Sequence, residues 1–121
     1  MSVNEKLIAV QSKLKAPKNQ TNDFGKYKYR SCEDILEAVK PLLKEHGLSL
    51  VVSDEIFCVN EKRVYVKATA TVNDGEISVS ATAYAREPEI KKGMDESQIT
   101  GAASSYARKF ALNGLFAIDD T

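Results

Sequence analysis

Residues 63–87 narrow the folds open to this chain more than any other stretch. Val64, Val66, Ala68, Ala70 and Val72 alternate on one side of a strand read over 63–72, and Ile77, Val79, Ala81, Ala83 and Ala85 on one side of a strand read over 76–87. Between them lies Asn73-Asp74-Gly75, whose Asp-Gly pair is a strong hairpin signal. The opposite sides carry Tyr65, Lys67, Thr69 and Thr71, then Ser78, Ser80, Thr82, Tyr84 and Arg86. One face is therefore apolar but shallow, because alanines let a covering helix approach closely. Leu48 to Val59 reads as a third strand, joined to the second through a turn at Asn60-Glu61-Lys62.

The cover for that shallow face lies in the last quarter. Ile99, Ala103, Tyr106 and Phe110 recur at i, i+4, i+7 and i+11, an apolar helical stripe. Asp95 with Gln98 resembles a capping-box start, and the helix runs to about Asn113-Gly114, followed by a short apolar piece, Leu115 to Ile118. Gly101, Ser104, Ser105 and Arg108 mark a second stripe that is nearly bare. A solvated helix face carries long charged side chains, so this one is expected to meet another protein surface or a polyanion.

Two helices precede the strands. Val3, Leu7, Val10 and Leu14 predict an amphipathic helix over 2–15, and the polar loop from Ala16 to Asp23 ends it. Ser31 with Asp34 resembles a capping box, Ile35, Ala38, Val39, Leu42 and Leu43 form a core-facing stripe, and Gly47 is a helix stop. Pro41 removes one backbone bond inside this helix, so a kink is expected. The fold class is α+β: two N-terminal helices, a three-stranded antiparallel β-meander and a C-terminal helix packed on it. At 121 residues this is one domain, residues 1–121, with a basic and aromatic arm at 16–30.

Formal net charge is zero, but the charge is segregated. Residues 1–30 hold seven Lys/Arg and two Asp/Glu, and residues 31–60 hold two Lys/Arg and six Asp/Glu. Cys32 and Cys58, the only cysteines, read as reduced thiols, and a zinc site from His46 and two scattered cysteines is not expected. With no signal peptide and no apolar run of transmembrane length, the chain is expected to be cytoplasmic and away from membranes.

Three groups of residues could carry nucleic-acid chemistry. Lys26-Tyr27-Lys28-Tyr29-Arg30, if extended, places Lys26, Lys28 and Arg30 on one side for phosphates and Tyr27 and Tyr29 on the other for bases. The alternative is an edge strand whose tyrosines pack on the core. The bare helix face offers Arg108 and Lys109, with the Ser104 and Ser105 hydroxyls, to phosphate, or else Gly101, Ser104 and Ser105 to a neighbouring subunit. The polar sheet face offers Tyr65, Lys67, Tyr84 and Arg86, with Lys91 and Lys92 beyond, as a single-strand platform or a merely solvated surface. A competing reading is a Mg²⁺ nuclease, since Asp74 followed by Glu89-Ile90-Lys91 has the outline of an Asp … Glu-x-Lys site. No Gly-rich loop cradles a phosphate, and no base frames Ser104 or Ser105 for nucleophilic catalysis. The third class is a protein-interaction module docking through the Tyr65 and Tyr84 face.

Gly101 to Leu112, then Leu115-Phe116 and Asp119-Asp120, resembles the signature of the ERF (essential recombination function) family of single-strand DNA annealing proteins, mostly from bacteriophages and prophages. Lys26 to Arg30, Glu87 and Lys92-Gly93-Met94 are similar to the family's pattern as well, and the likeness covers residues 3 to 120. Lys109-Phe110 departs from a common Arg-Tyr pair, losing a hydroxyl and a guanidinium fork. The resemblance implies an ATP-independent recombinase rather than an enzyme with a catalytic acid or base, with no cofactor or metal. It implies single-stranded DNA as ligand, rings or arcs of like subunits, and partners such as a phage exonuclease or a host single-strand binding protein. It also implies a β-β-β-α core and a less ordered tail beyond the acidic pair.

Overall fold

The computed structural model describes residues 1–22, 25–60, 63–87 and 96–118. Local capping chemistry sets its first two helices. In α1 (Val3–Lys13) the Glu5 amide donates to Ser2 Oγ at 3.1 Å, and a Glu5 carboxylate oxygen accepts from the Ser2 amide at 3.3 Å. In α2 (Cys32–His46) the expected Ser31 and Asp34 box is present, with the Asp34 amide on Ser31 Oγ at 3.1 Å and the Ser31 amide on Asp34 Oδ2 at 2.8 Å. Gly47 takes φ 67°, and the Leu48 amide reaches back to the Leu43 carbonyl at 2.9 Å. That left-handed stop favours glycine because it lacks a Cβ. Lys13 and Glu45, 3.1 Å apart, link the two helices.

The stretch between these helices departs from expectation. Instead of a loop followed by one extended arm, Gln20–Asn22 (β1) and Tyr27–Tyr29 (β2) pair as an antiparallel hairpin, with Gln20 opposite Tyr29 and Asn22 opposite Tyr27. Lys26 stands in its turn at φ 51°, so the strand holds only Tyr27, Lys28 and Tyr29 of the basic-aromatic run. The α+β class with an antiparallel meander stands, and the order of elements gains this two-stranded sheet.

The meander is β3 (Ser49–Asn60), β4 (Arg63–Asn73) and β5 (Ser78–Arg86), paired in the order β3-β4-β5. Its register sets Ala68 against Ala83 and Ala70 against Ala81, and Val66, Ala68, Ala70 and Val72 are fully buried. The Asp74 carboxylate holds the hairpin turn by accepting from the amides of Glu76 and Ile77, both at 2.9 Å.

Helix α3 (Glu96–Leu115) covers the alanine face, but with a different side than the stripe predicts. Ile99, Ala103, Ala107 and Ala111 are buried, whereas Tyr106 is 55% and Phe110 42% exposed. A shallow alanine sheet accepts alanines at close range and has no depth for rings, so the aromatic pair is turned to the outer flank. α3 runs antiparallel to β5: Thr100 Oγ1 donates to Glu87 at 3.0 Å, and Gly114 lies over Ala81. Leu112, Leu115 and Phe116 join α1 and α2 in the core, and Gln11 Nε2 donates to the Leu115 carbonyl at 2.9 Å. Burying a side chain such as Leu112 or Phe116 contributes about 2–3 kcal/mol.

The Asp95 cap, the turn residues Glu61 and Lys62, the loop residues Glu89, Lys91, Lys92, Gly93 and Met94, and the acidic pair Asp119-Asp120 lie outside the described residues. Cys32 is buried and Cys58 exposed, both unbridged. Among the described residues no helix is long and apolar enough to cross a membrane.

Candidate nucleic-acid interface

Two arginines expected to face phosphate are held by the protein itself. Asp54 sits on the helix-facing side of β3, opposite Ala68, where its neighbours in phase are Leu50, Val52 and Ile56. Arg108 Nε lies 3.0 Å from both Asp54 carboxylate oxygens, and Ser104 Oγ donates to Asp54 Oδ2. The Asp54 hydrogen bond raises the Arg108 pKa, keeping the guanidinium charged. Ser104 and Arg108 thus fasten α3 to β3 rather than forming a bare outer stripe. Gly101 and Ser105 of the same predicted face are exposed, and a Cβ at Gly101 would meet nothing. Arg30 is buried and donates from Nε to the Ala16 carbonyl at 2.8 Å, anchoring the base of the β1–β2 hairpin.

The outer flank of α3 brings other predicted residues together. Lys109 Nζ stands 5.9 Å from the centre of the Tyr29 ring, a cation–π contact between α3 and β2. Tyr29, Arg30, Ala102, Ser105, Tyr106 and Lys109 border a groove of about 300 Å³, with Glu33 as its one acid among the described residues. A second groove of about 380 Å³ lies between α3 and β5, bordered by Tyr84, Arg86, Ala102, Tyr106 and Phe110. Ala102 and Tyr106 line both, so the two adjoin along one flank. Tyr106 and Phe110 stack beside them, with centroids 6.2 Å apart and planes at 26°. Periodicity assigns neither ring to a binding surface, because it reads large apolar residues at helical spacing as core.

The hairpin side chains are partly turned outward. Tyr27, Lys26 and Lys28 are exposed, Tyr27 Oη accepts from Asn22 Nδ2 at 3.0 Å, and the Tyr27 and Tyr29 rings lie 6.2 Å apart. On the open face of the meander, Tyr65, Lys67, Tyr84 and Arg86 share one side as expected. Phe57 joins them: it lies opposite Tyr65, stacks on that ring at 6.1 Å and 20°, and meets Tyr84 edge-on at 5.8 Å. The alternation of β3 does not by itself say which side meets the helix, so Phe57 could be placed only through the β3–β4 register.

The nuclease outline has one described member. Asp74 is engaged by the hairpin amides of Ile77 and Glu76, which hold its carboxyl below the ordinary range. Among the described residues no group of three His, Cys, Asp or Glu could hold a metal ion.

The sequence pattern of the ERF superfamily matches residues 3–121. The Essential recombination function protein of Salmonella phage P22 is 68% identical over 115 residues, which is 95% of this chain and 55% of that protein. The chain spans about half the length of this curated relative. It belongs to the ERF superfamily.

Proposed function

We propose that this member of the ERF superfamily binds single-stranded DNA along the outer flank of α3 and anneals complementary strands without ATP, in the service of phage recombination. The adjoining grooves that meet at Tyr106 carry this reading. One end offers the Tyr29 ring and the Lys109 ammonium, the other the Tyr84 ring and the Arg86 guanidinium. Cations spaced along a groove attract a phosphate backbone, and each base stacked on a ring adds roughly 1–3 kcal/mol. Stacking uses the base faces and leaves the pairing edges free, which is what testing a second strand requires. No acid, base or metal is needed for that. Lys26 and Lys28, exposed on the β1–β2 hairpin, supply further phosphate contacts, and Lys91 and Lys92 are assigned the same role on their charge alone, while Arg30 and Arg108 act by holding the groove's walls.

The recombination role is supported by the name of the phage P22 relative. Copies of the chain assemble edge to edge, which extends one strand across several grooves. The reading is supported by the free outer edge of β3 among the described residues, a contact that leaves the β5 edge open. An exonuclease or a host single-strand binding protein would meet the assembled particle rather than the groove.

Lys109→Ala tests the groove. Single-strand affinity falls for every sequence, and the slope of log affinity against log salt becomes shallower by roughly 0.7 for one phosphate no longer neutralised. Wild-type affinity and slope in a folded Lys109→Ala protein would remove the groove from consideration. Labelled DNA incubated with Mg²⁺ remains uncut; cleavage abolished by Glu89→Ala would favour the nuclease instead.

A further inference from the structure

The open face of the meander is not a uniform solvated surface. None of its residues is buried, yet three rings gather at one end of it. Phe57 is 38% and Tyr84 53% exposed, and Phe57 touches both of the other rings. The strand register puts Arg63, Lys67 and Arg86 on this same side, around the rings, with Glu55 as the acid beside them. Among the described residues none of these three cations makes an ion pair. The other end carries Ser53, Thr69, Thr71, Ser80 and Thr82, with no charge, and the Thr71 and Ser80 hydroxyls bond one another at 2.7 Å. Rings and cations are thus segregated together on a face that no helix covers among the described residues.

Cross-strand rings stabilise a sheet by their mutual contact. That accounts for the cluster but not for the cations placed around it. Accessible rings surrounded by cations complement a ligand that is flat, apolar on its faces and anionic along its backbone. Single-stranded nucleic acid has that chemistry. Tyr84 and Arg86 also border the groove between α3 and β5, so this surface and that groove meet at the β5 edge.

We infer that a strand leaving the α3 groove turns over the β5 edge at Tyr84 and Arg86 and lays its next bases on a platform of Phe57 and Tyr65, with Arg63 and Lys67 on the phosphates. The path rests on the groove reading above and extends it; Phe57 is its central base-stacking residue.

The chain has no tryptophan, so Phe57→Trp and Tyr106→Trp each create a single fluorescent reporter, one on the platform and one in the groove. Oligothymidylates spanning roughly 4 to 16 nucleotides, the range of single-strand site sizes, are titrated at one salt concentration. The shortest quench the reporter at position 106 alone, and longer ones quench both. A silent reporter at 57 at every length, with 106 quenched, overturns the platform and leaves the groove standing. A quenched 57 with a silent 106 overturns the groove reading and the continuous path together. Phe57→Ser keeps short-oligonucleotide affinity and binds long ones about 5- to 150-fold more weakly, the effect of removing one stacked base. Equal affinity of Phe57→Ser and wild type for the long oligonucleotide overturns the path independently of fluorescence.

Discussion

Removing the Asp54 carboxylate would take the shared acceptor from the half-buried Ser104 hydroxyl and from the Arg108 guanidinium, which would then be left to water. Asp54→Ala is therefore expected to lower stability by about 2 kcal/mol, the scale of a hydrogen bond to a charged group, measured by urea unfolding. Arg108→Ala shifts stability in the same direction, and the folded fraction keeps its single-strand affinity. A folded Arg108→Ala protein of wild-type stability that no longer binds DNA would return Arg108 to the phosphate role suggested by its place on the helix. The signal for its actual partner is present in the chain: an acid in phase with Leu50, Val52 and Ile56, on what would otherwise be an apolar side of β3. Nothing local, however, links that acid to an arginine 54 residues away.

At the scale of elements, the Ser31–Asp34 cap, the Gly47 stop and the Asp-Gly turn are legible in the sequence because each is a contact within three or four residues. The rotation of α3 is not. Periodicity ranks Ile, Tyr and Phe above Ala as core formers, and it selects Tyr106 and Phe110. The depth of the opposing sheet reverses that ranking, since Ala68, Ala70, Ala81 and Ala83 leave room for Ala103, Ala107 and Ala111 at close approach. Ala107→Leu should then overpack the interface and cost about 1–3 kcal/mol in thermal or denaturant unfolding, although leucine is a good helix former. A neutral or stabilising leucine there would contradict the close helix–sheet seat. The β1–β2 hairpin is hidden from a sequence reading for a related reason. Its strands are three residues each, too short for an alternation to be read, and Arg30 secures it through a backbone carbonyl 14 residues away.

For the molecule as a whole, the meander leaves β3 and β5 as outer edges among the described residues, and Val51 stands exposed on β3. If copies join through this edge, Val51→Lys lowers the mass measured by light scattering toward that of a single chain while circular dichroism stays unchanged, because an edge lysine opposes strand addition. An unchanged particle mass would move the interface elsewhere. Free strand edges and a flank lined with rings are, among the described residues, properties of the folded surface. The three helices, the three strands of the meander, the Ser31 cap and the two faces of β4 and β5 follow from neighbours a few residues apart, so they can be read along the chain. The inward turn of Arg30 and Arg108, the outward turn of Tyr106 and Phe110, and the meeting of Phe57 with Tyr65 and Tyr84 depend on strand register and on how closely one helix can approach an alanine sheet. Those are distances across the fold, and no local pattern of residues encodes them.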